Sequence, residues 1–404
     1  MVTEVLARQV RREIRPHENW RPTLNLTWHT GSRRDAGWYA RARALVVVMI
    51  GVVLLAPLAA TPLGAQVLSA RQATPAPLFS VGITRCTFVD PSRGVLNYQK
   101  TPYRVLSSSR TLVTEIRYPI TLTSGGPAET PGATPVAQTG GYPMIVFAHG
   151  YDVTPDTYAA LLDAWVRAGF VVVAPIFPDE NAAEVAAQGA NTEDDVINEP
   201  GDLTFVTRSV LQDSATSTPS CPVVSGLINP SEIALAGHSD GAEAVSMLAY
   251  DHGLDPQGVN YADLRTGLDY RAVVILSGAL DTYQANADEA SRPNLLVVHS
   301  LADTCDPIRN DVQLYNTMHQ SNKWFLKLQS AHHLPPFDGV DAAAFKLVVT
   351  VTVPFLQMSL EGAVLAPTLA ALGSQEPGVG QTFAGPLSPS LANAPRLEER
   401  CGPN

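Results

Sequence analysis

The sequence predicts an α/β fold in which helices cover both faces of a mostly parallel central sheet. Two features of the sequence point to this class. From residue 144 onward, short uninterrupted apolar runs alternate with longer segments of helical periodicity. Runs this apolar are typical of strands buried on both faces, and strands that alternate with helices imply parallel connections. With 404 residues, 45% hydrophobic and 16% charged, the chain can bury the core that such a sheet needs.

The elements follow from the periodicity in chain order. Two stretches with alternating apolar and polar residues come first, VGITRCTFVD and SRTLVTEIRYPI, and we expect them to form half-buried strands. Six apolar runs then predict buried strands at residues 144–148, 171–175, 233–237, 272–276, 295–299 and 324–328. Helical periodicity predicts helices near residues 156–168, 202–212, 240–251, 307–320 and 341–358.

Residues 1–65 form a basic leader that ends in an uncharged apolar segment, residues 44–66. This pattern predicts a signal peptide or a membrane anchor. Cleavage and export are favoured because Pro57 and Pro62 interrupt the apolar segment and the sequence LGA that follows resembles a small-residue cleavage site. An uncleaved anchor is the alternative, since about 20 apolar residues can span a bilayer. We expect the rest of the chain to be secreted or extracytoplasmic, tethered to a membrane if this segment is retained.

Composition divides the remainder of the chain. Residues 66–78 form a linker, residues 79–360 carry the predicted strands and helices of one folded domain, and residues 361–404, rich in Ala, Pro and Gly, are expected to be a flexible tail. Residues 123–141 are expected to be a flexible surface connection. Residues 178–200 carry seven acidic side chains and no basic one. We expect a solvated loop there; the alternative is a rim or lid over a binding site that repels anionic substrates.

Charge and cysteine content narrow the function classes. The formal net charge is −11, from 27 basic and 38 acidic residues, which argues against a nucleic-acid partner. Four cysteines in an exported chain predict up to two disulfides with three possible pairings, and four unpaired thiols are the alternative. None of them is spaced as CxxC, so we do not expect a cysteine metal site. They are Cys86, Cys221, Cys305 and Cys401.

A serine between two glycines lies at the junction of a predicted strand and a predicted helix. Gly237-His238-Ser239-Asp240-Gly241 follows the apolar run IALA and opens the helix at once. A GxSxG pattern alone is a weak signal, but this position is typical of a nucleophile elbow, a sharp turn that lifts a serine clear of the sheet. The flanking glycines avoid collisions between strand and helix. The sequence therefore makes Ser239 the candidate nucleophile.

A serine nucleophile needs a base and an acid that orients the base, and in this arrangement they follow in the order Ser, Asp or Glu, His. Asp303 follows the fifth apolar run and is the candidate acid, with Asp306 as the alternate. Asp306 is better placed to cap the next helix, because a proline follows it. His332 and His333 follow the sixth apolar run, and the spacing leaves open which of them is the base.

Acyl transfer at such a serine passes through an oxyanion that two backbone N–H groups stabilise. One donor is expected at Asp240, directly after the nucleophile and at a helix N-terminus. The other is expected after the strand 144–148, where the sequence HG forms a turn before Tyr151. We therefore predict an oxyanion hole formed by Tyr151 and Asp240. His238 and His299, which lie within the elbow and a strand, are expected to be structural.

Residues 79–358 resemble the α/β-hydrolase superfamily, in particular the exported bacterial esterases grouped with dienelactone hydrolases, platelet-activating-factor acetylhydrolases, chlorophyllases and cutinase-like polyester hydrolases. VGITRCTFVDPSR and RTLVTEIRYP resemble the opening strands of the acetylhydrolase-like group. PMIVFAHGYDVTPDTYAALLDAWVRAGFVVVAPIFP resembles the segment around that group's first oxyanion donor. ADTCDP and LKLQSAHHLPP are similar to the acid and base segments of cutinase-like enzymes. This resemblance implies that Asp303 is the acid and His333 the base.

The resemblance also implies an activity. It implies a serine carboxylic-ester hydrolase that acts through an acyl-enzyme, without metal or cofactor, on a small-molecule, lipid or polyester ester. A peptidase or a lactone or dienelactone hydrolase on the same triad is one alternative, because the fold does not fix the acyl group. A non-catalytic extracellular binding protein of this fold is another.

One residue departs from the cutinase-like pattern. Cutinase-like enzymes usually have an apolar residue or Gln after the serine, whereas this chain has Asp240. A carboxylate there opposes a developing negative charge unless it is turned away or paired. Its surroundings therefore bear on how the predicted oxyanion hole works.

Overall fold

The strands in the described part of the chain form one ten-stranded sheet and a separate two-stranded pair, Val95–Asn97 with Arg104–Ser107. The computed structural model describes residues 79–97, 104–123, 128–188, 193–279, 293–306, 308–365 and 368–392, all within the compact unit of residues 70–404. The strands in them are β1 Ser80–Asp90, β2 Val95–Asn97, β3 Arg104–Ser107, β4 Arg110–Ile120, β5 Glu129–Pro131, β6 Tyr142–Ala148, β7 Val171–Pro175, β8 Ile228–His238, β9 Tyr270–Leu276, β10 Asn294–Ser300, β11 Lys323–Leu328 and β12 Gly380–Phe383. The order across the large sheet is β12-β11-β10-β9-β8-β6-β7-β4-β1-β5. The predicted leader and linker lie outside the described residues.

Six neighbouring strands in the middle of this sheet run parallel; in sheet order they are β7, β6, β8, β9, β10 and β11. Every residue of β6 and β7 is buried, as their uninterrupted apolar sequences require. Antiparallel pairs flank the parallel strands, β4 beside β7 and β12 beside β11. The predicted mostly parallel sheet is confirmed. Its parallel strands bring their carboxyl ends to one edge, where the candidate site residues follow.

Helices cover both faces of the sheet, as predicted. They are α1 Ala159–Arg167, α2 Ala182–Gln188, α3 Glu199–Ala215, α4 Asp240–Tyr250, α5 Tyr261–Leu264, α6 Ile308–Thr317, α7 Pro335–Asp338, α8 Ala342–Glu361, α9 Leu369–Leu372 and α10 Pro389–Ala392, with 3₁₀ helices at Pro155–Tyr158, Glu193–Asn198 and Pro222–Val224. Successive side chains of a strand point to opposite faces. In β6, Met144 and Val146 pack in one core with α3, α4 and α6. Ile145 and Phe147 pack in the other core with α1 and α8.

One helix among the described residues, α8, is long and apolar enough to cross a membrane by length and composition alone. Its side chains Leu347, Val351 and Phe355 are buried in the core of the second face. The helix begins with a cap, because the Asp341 side chain accepts the Ala344 N–H at 3.1 Å. These contacts identify α8 as a core helix of the folded domain.

A disulfide joins β1 to the segment that precedes β8. Cys86 and Cys221 are bonded across 135 residues of sequence, with Cα atoms 5.7 Å apart. Cys305 is disulfide-bonded as well, and its partner lies outside the described residues. The prediction of disulfides is therefore confirmed. A crosslink that closes so long a loop stabilises the fold mainly by restricting the unfolded chain.

Two segments that the sequence predicts to be flexible contain strands of the sheet. Within residues 361–404, Gly380–Phe383 pairs antiparallel with β11, and Leu369 is buried. Within residues 123–141, Glu129–Pro131 pairs with β1. The prediction of a flexible tail is wrong for this part of the chain. These short strands cover the two edges of the sheet, a tertiary contact that Pro- and Gly-rich composition does not reveal.

Candidate active site

Ser239 lies in a sharp turn between β8 and α4. Its backbone has φ 56° and ψ −128°, a conformation that residues other than glycine rarely adopt. Such strain costs about 1–3 kcal/mol and persists only where the surrounding structure enforces it. The Ser239 N–H donates to the Leu276 carbonyl at 3.1 Å, and the Ser239 carbonyl accepts the Ala242 N–H at 2.8 Å. The turn has the geometry of a nucleophile elbow.

The two glycines of the motif are required by close packing around this turn. A Cβ on Gly237 would lie 2.3 Å from the Gly241 carbonyl oxygen. A Cβ on Gly241 would lie 2.4 Å from the carbonyl oxygens of Ala148 and His149. Both positions are too close for any side chain, so a larger residue at either would push α4 away from the sheet.

His333 and Asp303 form a hydrogen-bonded pair beyond the carboxyl ends of β11 and β10. His333 Nδ1 donates to Asp303 Oδ2 at 2.8 Å. The other carboxylate oxygen of Asp303 accepts the backbone N–H groups of Cys305 at 2.8 Å and Asp306 at 3.2 Å. Burial favours the neutral acid, but the hydrogen bond and charge of His333 outweigh it and lower the pKa of Asp303 to about 2. Asp303 is therefore ionised at neutral pH.

The same pair raises the pKa of His333. Burial alone would lower that pKa, but the hydrogen bond to Asp303 and the charge of Asp303 outweigh it. The other ring nitrogen, Nε2, is buried and has no hydrogen-bond partner in the described part of the chain, so it is not bonded to Ser239 Oγ here. The His333 ring lies 4.5 Å, centroid to centroid, from that of His238, the residue before the nucleophile. Hydrogen bonds between nucleophile and base often tighten only when substrate binds.

The two alternate residues occupy different places. His332 is exposed, whereas its neighbour His333 faces Asp303. Asp306 lies near the opposite ring nitrogen, with Oδ2 3.9 Å from His333 Nε2. The structure thus brings Asp303 and His333 together and leaves His332 outside the site.

A chain of hydrogen bonds connects the loop after β6 to the loop that carries His333. The Gly150 N–H donates to the Tyr158 hydroxyl at 3.2 Å, and that hydroxyl donates to His238 Nδ1 at 2.8 Å. His238 Nε2 donates to the His333 carbonyl at 3.2 Å. Burial, the largest effect, lowers the pKa of His238 well below its ordinary value. The ring is therefore neutral, and this pattern places its one proton on Nε2.

The turn after β6 is oriented by His149. His149 Nδ1 donates to the Gly150 carbonyl at 2.8 Å, and His149 Nε2 accepts the Phe177 N–H at 3.0 Å. Burial lowers the pKa of His149 to about 4, so this ring is neutral. Because the C=O and N–H of a trans peptide point in opposite directions, the Tyr151 N–H is directed away from His149. A Cβ on Gly150 would lie 2.9 Å from Ser239 Cβ, so the turn packs against the nucleophile.

Asp240 begins α4, and an N–H in the first turn of a helix has no acceptor within the helix. Its side chain lies near two buried glutamates, Glu180 and Glu199. Burial is the largest cause that raises the pKa of both glutamates, and the nearby carboxylate of Asp240 raises it further. Their protonated forms are therefore favoured. Neutral glutamates limit the negative charge that accumulates next to Asp240.

Four of the five acidic side chains whose burial the structure describes in the acidic segment 178–200 are buried. These four are at most 2% exposed: Asp179, Glu180, Asp195 and Glu199. Arg110 on β4 bonds both Asp195 and Asp202 at 2.6 Å. The prediction of a solvated loop is wrong for these residues. An arginine distant in sequence neutralises part of their charge and holds the segment against the sheet.

His299 is the residue near the site whose position sequence reasoning missed. Its Nε2 lies 3.7 Å from Asp303 Oδ2. The signal in the sequence was one polar residue in the otherwise apolar run 295–299. Although carboxylates and histidines gather here, no group of three or more His, Cys, Asp or Glu side chains in the described residues is arranged to hold a metal ion.

Part of the chain matches a known protein family. The Chlorophyllase family model matches residues 130–270. This segment includes the turn after β6, the acidic segment and the nucleophile elbow, and it ends before Asp303 and His333. No match to the chain was found among the curated proteins.

A solved structure is similar in fold. The ferulic acid esterase from Streptomyces cinnamoneus aligns with a TM-score of 0.53 and 16% sequence identity, over 72% of this chain and 94% of that chain. At this identity the likeness concerns the fold, a mostly parallel sheet flanked by helices. The likeness shows an α/β-hydrolase fold. The family match over residues 130–270 supports a carboxylic-ester hydrolase.

Proposed function

We propose that this protein is a serine carboxylic-ester hydrolase in which Ser239, His333 and Asp303 form the catalytic triad. The observation that carries the proposal is the 2.8 Å hydrogen bond between His333 Nδ1 and Asp303 Oδ2, formed beside the strained backbone of Ser239. A serine nucleophile, a histidine base and an ionised acid that orients the base are the components of a serine hydrolase. The similarity to an esterase supports an ester as the bond that is cleaved.

The reaction proceeds in two steps. In the first, Ser239 Oγ attacks the ester carbonyl carbon while His333 Nε2 takes the hydroxyl proton; His333 then returns that proton to the leaving alcohol, and an acyl-enzyme remains. In the second, His333 takes a proton from water, the hydroxide attacks the acyl carbon, and the proton returns to Ser239 as the carboxylic acid leaves. Asp303 holds the imidazole in the tautomer with its proton on Nδ1 and stabilises the imidazolium in both steps.

The oxyanion that forms in each step is stabilised by the N–H groups of Tyr151 and Asp240. The orientation of the Gly150–Tyr151 peptide by His149 supports the first donor. The start of α4 at Asp240, where the helix dipole favours negative charge, supports the second. Such donors act without reorganisation, because the fold fixes them before substrate binds.

We propose small-molecule esters as the substrates, in line with the esterase activity named for the similar structure. We further propose that the protein acts outside the cytoplasm. The disulfide between Cys86 and Cys221 supports an oxidising compartment. A long-chain lipid substrate corresponds to a distinct outcome of the experiment below.

The test is hydrolysis of p-nitrophenyl esters from acetate to palmitate by the full chain and by three variants. We expect Ser239→Ala and His333→Ala each to lower kcat by at least about 10⁴-fold, as loss of a triad member does. His332→Ala is the matched control and should retain wild-type rates, because its side chain is exposed. Labelling of wild type, but not of Ser239→Ala, by a fluorophosphonate reports the nucleophile independently of substrate.

The acyl-chain profile then identifies the substrate class. Highest rates on acetate and butyrate support a small-ester hydrolase, and highest rates on palmitate indicate a lipase-like enzyme. If wild type and Ser239→Ala are equally inert on every ester and neither is labelled, the proposed function is wrong and a binding protein of this fold takes its place.

A further inference from the structure

A second buried histidine–carboxylate pair lies directly behind the proposed catalytic acid. His299 is the penultimate residue of β10, and Asp311 lies in the first turn of α6. The side chains of His299, Asp303 and Asp311 are all fully buried. The loop after β10 and the helix that follows it thus place one carboxylate each near the two nitrogens of an imidazole on β10.

The contacts of His299 involve both ring nitrogens. Nδ1 forms a hydrogen bond with Asp311 Oδ2. Nε2 donates to the backbone carbonyl of Asp306 at 3.1 Å and lies 3.7 Å from Asp303 Oδ2. A carbonyl oxygen only accepts, so Nε2 carries a proton. The partner of Nδ1, the Asp311 carboxylate, also accepts. The imidazolium is the form of the ring that donates from both nitrogens.

The charge balance of the site favours this form. Burial alone would lower the pKa of His299, but the carboxylate of Asp311 outweighs burial and raises it. Other titratable groups that face the ring are Asp303, Asp306, His333 and His238. An imidazolium there stabilises the ionised form of Asp303 and opposes a second positive charge on His333.

The ring also fixes the loop that carries the acid. Asp303 Oδ1 accepts the N–H groups of Cys305 and Asp306, which closes the loop on itself. The bond from His299 Nε2 to the Asp306 carbonyl ties that loop to β10. The charge of His299 and its bond to the loop both act on Asp303, whose Oδ2 accepts the hydrogen bond from His333 Nδ1.

We propose that His299 and Asp311 form a positioning pair that holds Asp303 and its loop from behind and tunes the basicity of His333. This inference rests on the proposed function, in which Asp303 and His333 are the acid and base. His299 touches neither substrate nor reacting atoms. It acts through Asp303, so its loss should change the titration of the base and the turnover rate more than substrate binding.

The experiment compares His299→Gln and Asp311→Asn with wild type. Each variant removes the buried cation, the first by deleting the imidazole and the second by removing the anion that stabilises it. We expect the acidic limb of the pH profile of kcat/KM to move upward by about 0.5–1 pH unit, because a positive charge no longer opposes protonation of His333. We expect kcat to fall by about tenfold with KM nearly unchanged, because the acid is less well placed.

Two controls separate this role from a merely structural one. His319→Gln changes an exposed histidine beyond the end of α6 and should leave the profile unchanged. The titration of His333, followed by NMR of imidazole-¹⁵N-labelled protein and assigned with His333→Ala, should show the same upward shift without any substrate. Asp311→Asn is nearly isosteric, so it keeps the test valid if His299→Gln does not fold.

The outcomes are distinct from failure of the proposed function. If wild type is active and depends on Ser239, but both variants keep the wild-type acidic limb and the wild-type His333 titration, the positioning role is overturned. Loss of thermal stability with an unchanged pH profile also overturns it. If wild type lacks serine-dependent activity, the proposed function fails, and the NMR titration still reports whether His299 acts on His333.

Discussion

His238 Nε2 donates to the backbone carbonyl of His333 at 3.2 Å, so the residue before the nucleophile holds the loop of the base. Through Tyr158 the same histidine connects to the Gly150 N–H in the turn after β6. Three loops from three strand ends are thereby fixed relative to one another. Catalytic groups need such support, because a displacement of about 1 Å can cost about 10²-fold in rate.

Loss of the Tyr158 hydroxyl should therefore reduce turnover. Tyr158→Phe leaves the Gly150 N–H and His238 Nδ1 without their buried partner, and we expect a loss of about 1–3 kcal/mol in unfolding free energy and about tenfold in kcat. Tyr118→Phe is the matched control, since it deletes the hydroxyl of another buried tyrosine, one that donates to the Ala133 carbonyl at 2.7 Å. Denaturant unfolding and steady-state kinetics measure both effects. Equal losses of kcat in the two variants would contradict the support role of Tyr158.

The pH dependence of activity should reflect the raised pKa of His333. The base must be neutral, so kcat/KM should fall as pH decreases through a pKa that lies above the ordinary histidine value of about 6.5. Asp303→Asn removes the main cause of that shift, so the acidic limb should move to lower pH while kcat falls by about 10⁴-fold. Rates on p-nitrophenyl acetate between pH 4.5 and 9 measure both. If Asp306→Asn abolishes activity and Asp303→Asn does not, the acid is Asp306.

The buried glutamates behind Asp240 should destabilise the protein at alkaline pH. Glu199 is 1% exposed, and its pKa is raised, chiefly by burial. Below its unfolded pKa of about 4.3 the residue is neutral in both states; above it, folding must keep a proton that the unfolded chain releases. The resulting cost grows as pH rises toward the folded pKa.

Glu199→Gln removes that cost. At pH 8 we expect the unfolding temperature of the variant to rise, by about 2–4 °C for each kcal/mol gained in unfolding free energy. At pH 4 we expect it to be unchanged. Glu184→Gln, which changes an exposed glutamate of the same acidic segment, is the control and should have no effect. A variant that is less stable than wild type at pH 8 would show that the ionised Glu199 is stabilising.

The disulfide between Cys86 and Cys221 should contribute strongly to stability. Cys86→Ser opens a crosslink across 135 residues, and we expect a loss of about 2–5 kcal/mol in unfolding free energy. The double variant with Cys221→Ser should lose the same amount if the crosslink itself is responsible. Denaturant midpoints at one pH give the comparison. A midpoint equal to that of wild type would mean that the packing of β1 alone fixes this edge of the sheet.

Local patterns in the sequence determined the scaffold and the position of the nucleophile. The apolar runs predicted the parallel strands, because a strand buried on both faces has no polar positions. The glycines around Ser239 predicted the elbow, because close packing of a helix on a strand leaves no room for a side chain. Both features depend on neighbours along the chain, so the sequence expresses them directly.

Only the tertiary structure decided which side chains meet. Spacing left His332 and His333 equivalent, and the packing of their loop against His238 turns one toward Asp303 and the other to solvent. The burial of the acidic segment depends on Arg110, and the ring of His299 meets a carboxylate of a later helix. Each contact joins residues from different elements, where long-range packing sets geometry and charge. That packing is not encoded in any local period of the sequence.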